Sequence, residues 1–223
     1  MSVFASCFWS MVRVATPFLL LVGCASAPDT TLIHVSPPLN WEEQLRSARE
    51  TKDDWLRGSE ETPILPQDLE TFEGLQYYDA DPSYYLVGRV WFYESPQPLE
   101  MPTTGGKIRP AERVGWISFE LEGRPLRLEV YRLLDNQQSK MFLPFADATS
   151  GSETYPAGRY IELNGSPTGP WVLDFNHAYN PSCAYGEPER FACPVTPREN
   201  RLDVTIRAGE RGFHAEDGDG SAG

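Results

Sequence analysis

Carboxylates, one arginine and one histidine lie close together in the last third of the chain, and their types suit ligand binding or proton transfer. Asp147 and Glu153 precede Arg159, and Asp174 and His177 follow it. An arginine and a carboxylate form bidentate pairs that fix geometry as well as energy. Arg159 is therefore the expected partner of one of these acids, either in a polar pocket or in a structural brace.

Amide, phenol and further acidic side chains complete the candidate ligand-binding set. These residues are Asn176, Tyr179, Asn180, Glu199 and Asn200. In the functional interpretation, four side chains converge on a small polar ligand: Arg159, Asp174, Asn176 and Tyr179. In the structural interpretation, short polar side chains cap turns through hydrogen bonds to the backbone; these are Asp147, Thr149, Ser150, Asn176 and Asn180. The sequence favours the structural interpretation and leaves both open.

Hydrolysis is the alternative activity, with Asp174 or Glu153 acting beside His177. Nucleophilic catalysis needs a nucleophile next to an oriented base. The sequence contains neither a G-x-S-x-G elbow nor an H-E-x-x-H pair, and no glycine-rich phosphate loop. The sequence therefore favours a binding or scaffold domain over an enzyme. It names no catalytic residue, no cofactor and no metal site.

The start of the chain reads as an export signal. An apolar run from Val14 to Val22 follows Arg13 and ends at Gly23-Cys24. Spanning a hydrocarbon core takes about 20 apolar residues, so this shorter run with a cationic flank is typical of a cleaved secretory signal. Leu21-Val22-Gly23-Cys24 resembles the lipobox of bacterial lipoproteins. An ordinary secretory signal is the alternative, and Met11 is an alternative start.

The lipobox resemblance implies a place in the cell envelope. It predicts a signal peptide at residues 1–23 and acyl chains on Cys24, and two or more such chains hold a protein stably on a membrane. Ala25 follows the cysteine, which the resemblance associates with the periplasmic face of the outer membrane in Gram-negative bacteria. The expected partners are the membrane, through the anchor, and a small polar ligand or an envelope protein.

The four cysteines divide between the two ends of the chain. Cys7 leaves with the predicted signal and Cys24 is acylated. Cys183 and Cys193 remain in an oxidising compartment, so we expect them to form a disulfide. Closing so short a loop stabilises a fold by roughly 2–3 kcal/mol. Metal ligation by this pair with His177 is the alternative, although the spacing matches no zinc motif.

The charge of the mature chain limits its partners. Residues 24–223 carry a net charge of −13 − 1 = −14, because the removed segment holds one arginine and no acid. A nucleic-acid binder needs a cationic face, so we exclude nucleic acid as a partner. The same charge opposes electrostatic adhesion to anionic lipid.

The remaining patterns predict one β-rich domain at residues 40–211. Residues 24–39, which contain three prolines, predict a tether, and the glycine-rich acidic segment 212–223 predicts a disordered tail. An apolar stripe predicts a helix from Asn40 to Leu56, with Asn40 and Glu43 forming a capping box. His34 lies in the predicted tether and His214 in the predicted tail, which leaves His177 as the candidate base.

Alternation of apolar and polar residues predicts antiparallel strands after Tyr84. Val114–Leu121 and Leu126–Tyr131 alternate on either side of Glu122-Gly123, which is typical of a hairpin. Further strands are expected at residues 84–93, 140–145, 155–163, 171–175 and 202–207, and a loop at residues 96–110. The predicted fold class is mainly β, an antiparallel sandwich or barrel preceded by one N-terminal helix.

Three long motifs carry a family resemblance. They are D-x-T-S-G-x-E-T-Y-x-x-G-R-Y from Asp147, D-F-N-x-A-Y-N-P-x-C-A-Y from Asp174, and C-P-x-x-P-x-E-N-R-L from Cys193. Lys52-Asp53, Phe72–Leu75 and Ala208-Gly209-Glu210 fit the same pattern. The chain resembles family 1684 of the domains of unknown function (DUF). The resemblance implies an exported or envelope β-rich domain and no known reaction. His177 stands where the family pattern has arginine or lysine.

Overall fold

Residues 31–134, 141–166 and 168–213 are described by the structure, a computed structural model. The predicted signal peptide, Cys24, Lys140, His214 and the rest of the acidic tail lie outside the described residues. No helix in the described part of the chain is long and apolar enough to cross a membrane.

Eight antiparallel strands form one curled half-barrel sheet, so the prediction of a mainly β antiparallel fold is confirmed. Their spatial order is β1-β2-β8-β7-β6-β5-β4-β3. Thr31, next to the first strand, donates its backbone N–H to Ser118 O on β4 at 3.0 Å, which brings the first strand next to the second-last strand of the sheet. The strands are β1 (Leu32–His34), β2 (Tyr85–Gly88), β3 (Trp91–Pro102), β4 (Ile108–Leu121), β5 (Arg124–Leu133), β6 (Met141–Phe145), β7 (Arg159–Gly165) and β8 (Trp171–Asp174).

Aromatic and branched side chains fill the concave face of the sheet. Phe175 lies at the centre, with its ring centroid 5.6 Å from Phe119 and 5.2 Å from Phe145. Aromatic pairs at these separations and tilted angles stabilise the fold by more than the burial of their apolar area alone. Other members of this core are Ile117, Leu128, Val130, Leu143, Ile161 and Leu173.

The predicted hairpin is confirmed with its turn. Leu121 pairs with Arg124 across the two-residue turn. Glu122 has φ 53° and Gly123 has φ 73°. Two successive positive φ values are those of a type I′ turn, whose twist matches that of the flanking strands.

The loop predicted at residues 96–110 is wrong, because strands occupy most of it. β3 runs to Pro102 and β4 begins at Ile108. β3 is an edge strand of the sheet. An edge strand tolerates proline, because the backbone N–H groups on its outer side have no neighbouring strand to bond. A register shift between Phe92 and Gln97 accommodates Pro96.

The strand predicted at residues 202–207 is also wrong. Val204 and Ile206 are buried as a strand would bury them, yet the backbone of this segment bonds mostly outside the sheet. Ile206 donates its N–H to Asp147 Oδ2 at 2.6 Å and accepts at its carbonyl from Arg159 at 2.8 Å. Leu202 and Val204 bond the backbone of Ala146 and Ala148, and at Ile206 two side chains take the place of a partner strand.

Helix α1 spans Trp41–Gly58 and buries Trp41, Leu45 and Leu56. Asn40 precedes the helix, but its side chain makes no capping hydrogen bond, so the predicted capping box is wrong. Its φ of −99° and ψ of 13° lie outside the extended region that a capping side chain needs. A short helix, α2, follows at Pro66–Leu69.

The described segments next to the predicted tether and tail belong to the domain. β1 pairs with β2 and buries Leu32, so the tether prediction is wrong for these residues. α1 consequently follows the first strand and does not precede the whole β domain. At the other end, Gly212 donates to Glu153 O at 2.9 Å, and the Phe213 ring packs against Tyr185 at 5.4 Å. The predicted disorder is therefore wrong for residues 212 and 213.

Candidate functional site

Arg159 is sealed inside the domain. Its guanidinium donates to the carbonyls of Ile206, Ala208 and Glu210, and it lies 3.5 Å from Asp147 Oδ1. Burial lowers the pKa of Arg159, and the charge of Asp147 opposes this effect. β7 supplies the arginine and the final segment of the domain supplies the carbonyls. Arg159 therefore fastens that segment to the sheet and is closed to a ligand from solvent.

Asp147 forms the other half of this brace. Oδ1 accepts from the Thr149 hydroxyl at 2.8 Å, and Oδ2 accepts from Ile206 N at 2.6 Å. The Asp147 backbone N–H bonds the Ser150 hydroxyl at 3.1 Å. The bonds with Thr149 and Ser150 are the turn-capping bonds that the structural interpretation predicts, whereas the bond from Ile206 is a long-range contact.

Asp174 and Asn176 form a separate network between α1 and the sheet. Trp41 Nε1 donates to Asp174 Oδ2 at 2.7 Å, and Asn176 Nδ2 donates to Asp174 Oδ1 at 2.8 Å. Asn176 also exchanges two hydrogen bonds with the backbone of Asp81, at 2.9 and 2.8 Å. Arg159 and Asp174 therefore bond different partners, so the four side chains of the functional interpretation do not converge.

Glu210 is the centre of a third network, next to Asn180. Its buried carboxylate accepts from Lys52 Nζ at 2.6 Å, from Asn180 Nδ2 at 3.0 Å and from the Tyr185 hydroxyl. Burial, followed by the charge of Glu210, raises the pKa of Tyr185 well above its ordinary value. Lys52, Tyr185 and Glu210 were absent from the candidate set, although the family pattern contains all three positions.

Glu199 and Asn200 also act as braces. The fully buried Asn200 amide bonds the backbone N–H and carbonyl of Glu129 at 2.8 and 2.9 Å, and the carbonyl of Pro144 at 2.7 Å. Glu199 pairs with Arg113 on β4 and accepts from Tyr131 OH at 3.2 Å.

Glu153 is a partly exposed acid of the candidate set. Its carboxylate receives Arg207 Nε at 2.8 Å and the Tyr78 hydroxyl at 3.0 Å. The hydrogen bond from Arg207 lowers the pKa of Glu153, and the bond from Tyr78 adds to this effect. Burial, together with the Glu153 contact, raises the pKa of Tyr78 to about 12.

Replacing Glu153 with glutamine will remove a pH-dependent part of the stability. A carboxyl whose pKa is lowered on folding stabilises the protein above its unfolded pKa, and this contribution is lost as pH falls through the folded pKa. In urea unfolding, wild type will therefore be more stable than E153Q at neutral pH. The difference will shrink between about pH 5 and pH 2. A stability difference between wild type and E153Q that stays constant over this pH range would contradict a lowered pKa of Glu153.

Cys183 and Cys193 form the predicted disulfide, with Cα atoms 6.3 Å apart. The metal alternative for this pair is therefore excluded. The bond closes a loop whose residues lie next to side chains of β4, β5, β6 and β7. In the described residues, no group of three or more His, Cys, Asp or Glu side chains could hold a metal ion.

An open cleft lies between this loop and the sheet, and we call it the aromatic cleft. Its volume is about 320 Å³. The Tyr160 ring lies edge-on to Phe142 at 4.7 Å and to Tyr179 at 5.9 Å. The lining residues are Arg109, Leu133, Phe142, Tyr160, Glu162, Tyr179, Pro181, Ser182, Phe191, Ala192, Cys193 and Pro194.

A second cleft of about 390 Å³ lies beside α1 and shares Tyr179 and Glu162 with the first. Arg49 projects into it from α1, and its guanidinium lies 4.3 Å from the centre of the Tyr77 ring. His177 also lines it, with 46% of its side chain exposed and Nε2 3.8 Å from Asp174 Oδ2. That separation is too long for a hydrogen bond, and Asp174 already accepts from Trp41, so Asp174 does not orient the imidazole as a base.

The candidate residues thus separate into two groups. Tyr179 faces both clefts, and Asn176 and His177 line the second. The others serve in the braces; these are Asp147, Glu153, Arg159, Asp174, Asn180, Glu199 and Asn200. Most of the aromatic cleft was missed, because apolar side chains from several segments form it and none of them has a chemical signature in the sequence.

Comparisons with known proteins agree with these motifs. A family described as "Protein of unknown function (DUF1684)" matches residues 70–211. An uncharacterised protein of Haloarcula marismortui, solved by solution NMR, is 35% identical, with a TM-score of 0.61 over 77% of this chain and 94% of that chain. A search of curated proteins finds no match. The family match spans more than half of the chain and contains all three long motifs, so the chain belongs to the DUF1684 family.

Proposed function

We propose that the chain is a lipid-anchored protein of the cell envelope whose β domain binds a small ligand in the aromatic cleft. The Gly23-Cys24 motif supports the anchor, and the oxidised pair Cys183–Cys193 fits an oxidising compartment. Residue Ala25 favours the periplasmic face of the outer membrane. The cleft supports the binding role.

The preformed shape of the aromatic cleft is the observation that carries the binding proposal. Ligand sites are concave, mostly apolar, and about 300–1,000 Å³ in volume; the cleft, at about 320 Å³, is at the small end of this range. Edge-on contacts fix Phe142, Tyr160 and Tyr179 against one another, and Tyr160 donates its hydroxyl to Pro194 O. The wall therefore needs little reordering when a ligand enters, which favours affinity.

The lining sets the chemical class of the ligand. Rings and aliphatic groups form the floor, whereas Arg109, Glu162 and Ser182 bring polar atoms to the cleft. We infer a ligand with a flat apolar body and one or two polar groups, no larger than a disubstituted aromatic ring or a single amino-acid side chain. The sealed polar residues provide the rigid scaffold for this cleft.

Hydrolysis by His177 with a carboxylate is the weaker candidate. The observation in its favour is that the half-exposed His177 lines the second cleft, whereas its 3.8 Å separation from Asp174 counts against it. Hydrolysis of chromogenic esters or glycosides by wild type, with loss of activity in H177Q, would support it over the binding role.

Filling the cleft will abolish binding. In a thermal-shift and NMR screen of aromatic acids, amino acids and monosaccharides, ligands should change the NMR chemical shifts of residues that line the aromatic cleft.

Ser182→Trp places a ring in the cleft without removing any of the described side-chain hydrogen bonds, so the affinity of these ligands should fall below detection. Phe191→Ala removes one wall and should weaken binding by about fivefold, since truncation of a contact residue typically costs about 1 kcal/mol.

Phe92→Ala is the matched control, because Phe92 is an exposed phenylalanine outside the cleft. It should bind as wild type does. Ligands that bind S182W as tightly as wild type would place the site elsewhere, and a screen without any ligand would remove the support for a binding role.

A further inference from the structure

Three aromatic side chains flank the start of the edge strand β3, and we call them the aromatic edge: Trp91, Phe92 and Trp116. Trp91 pairs with Trp116 on one face of the sheet. Phe92 points to the opposite face, where its ring centroid lies 5.9 Å from that of Trp171. Trp91 is 44% exposed and Phe92 is 42% exposed. The rings of Trp91 and Trp116 stack with centroids 6.1 Å apart and planes 19° apart. A single exposed apolar side chain is ordinary, but neighbouring large rings at a sheet edge indicate a contact surface.

The chain enters the domain beside the aromatic edge. Thr31 donates its backbone N–H to Ser118 O at 3.0 Å and accepts at its carbonyl from Arg89 N at 3.0 Å. Ser118 lies two residues after Trp116, and Arg89 lies two residues before Trp91. The position of Thr31 next to the rings is therefore fixed by hydrogen bonds on both sides.

A close approach of the backbone reinforces this position. A Cβ atom on Gly88 would lie 1.9 Å from Thr31 O, so the chain passes there only because residue 88 is glycine. The entry of the chain into the domain is thus a fixed part of the fold.

The distance from Cys24 to this entry point is short. Six residues lie between Cys24 and Thr31 in sequence, and a fully extended chain spans at most about 3.6 Å per step, or about 25 Å over these seven steps. If Cys24 carries the lipid, Thr31 must remain within that distance of the bilayer, and the rings lie beside Thr31.

The chemistry of the aromatic edge suits the interface between lipid and water. Tryptophan is enriched at that interface, because its ring is apolar and its N–H is polar. The Arg127 guanidinium lies 4.3 Å from the centre of the Trp116 ring, and Arg89 is exposed nearby. Because the chain as a whole is acidic, net charge does not attract the domain to anionic lipid, and burial of the rings supplies the attraction.

We propose that the aromatic edge lies against the surface of the bilayer that holds the anchor, so that the domain rests on the membrane in one orientation. The partner is the lipid surface itself. This proposal rests on the lipid anchor of the proposed function and is independent of the aromatic cleft.

Quenching of tryptophan fluorescence by brominated lipid tests the proposal. The lipidated full chain is placed in phosphatidylcholine vesicles with brominated acyl chains, and wild type is compared with W91S/F92S. We expect quenching to fall by about twofold or more in the double variant, because ring insertion brings tryptophan to the depth of the interface. Thermal melting checks that the variant is folded.

Trp55→Ser is the matched control, since Trp55 is 48% exposed on α1 and lies outside the aromatic edge. W55S should keep the wild-type quenching from Trp91. Equal quenching in wild type and W91S/F92S would show that the aromatic edge does not contact lipid. That result would overturn the proposal and favour a protein partner for these rings. The intact mass of the membrane-extracted protein reports acylation of Cys24 separately, so an unmodified cysteine would overturn the anchor.

Discussion

Replacing Arg159 with methionine will destabilise the domain by about 3–5 kcal/mol, because removing one partner of a buried ion pair leaves the other charge uncompensated. Methionine nearly preserves the volume, so the loss arises from the orphaned carboxylate of Asp147 and from the carbonyls of Ile206, Ala208 and Glu210. Urea unfolding followed by fluorescence measures the change in the free energy of unfolding.

Two control variants separate charge from hydrogen bonding at this position. Arg159→Lys keeps the charge but cannot reach all of the carbonyls, so it should lose less stability than methionine does. Arg159→Met combined with Asp147→Asn should recover part of the loss, since no charge then stays buried without a partner. A loss below about 1 kcal/mol in R159M, the level of a single ordinary hydrogen bond, would show that the brace does not hold the final segment.

Removing Lys52 will cost more stability than removing the charge of its partner, Glu210. The Glu210 side chain is 1% exposed, whereas the Lys52 side chain is 27% exposed. Lys52→Met therefore leaves a carboxylate buried without its cation, at a cost of about 3 kcal/mol. In Glu210→Gln the amide still reaches Tyr185 and Asn180, and the lysine turns toward water.

A double-mutant cycle with K52M and E210Q tests this asymmetry. The double variant should be more stable than the sum of the two losses predicts, with a coupling energy of about 1–2 kcal/mol, as expected for residues in one ion-pair network. Arg57→Met is the control, because Arg57 on the same helix pairs with the exposed Asp54, and exposed pairs contribute little. Additive losses in K52M and E210Q would contradict a direct pair.

Local sequence patterns predicted those elements whose partners are also local. The hairpin around Glu122-Gly123 follows from alternation and from Gly123, which accepts positive φ without steric cost. β1 was missed because three residues are too few to show a period, and its partner β2 lies far along the chain. The strand predicted around Ile206 failed for the opposite reason: its apolar alternation is genuine, but side chains of Asp147 and Arg159 take the place of a neighbouring strand.

The polar residues of the candidate set were found by type, and their roles depend on burial that the sequence does not reveal. Arg159 and Asn200 carry the polar atoms that a ligand site needs, yet both are sealed and bond backbone groups. The aromatic cleft is the reverse case. Phe142, Tyr160 and Phe191 look like ordinary core residues in the sequence, and only the path of the loop closed by the disulfide leaves them facing an opening.

The attachment of residues 206–210 by Arg159 has a consequence for the order of folding. Until these residues arrive, the arginine lacks three carbonyl acceptors and cannot be buried without a large cost. The core around β7 is therefore completed only when the last part of the domain has been synthesised. Until residues 206–210 are in place, the domain stays incomplete, and their docking on Arg159 completes the native state.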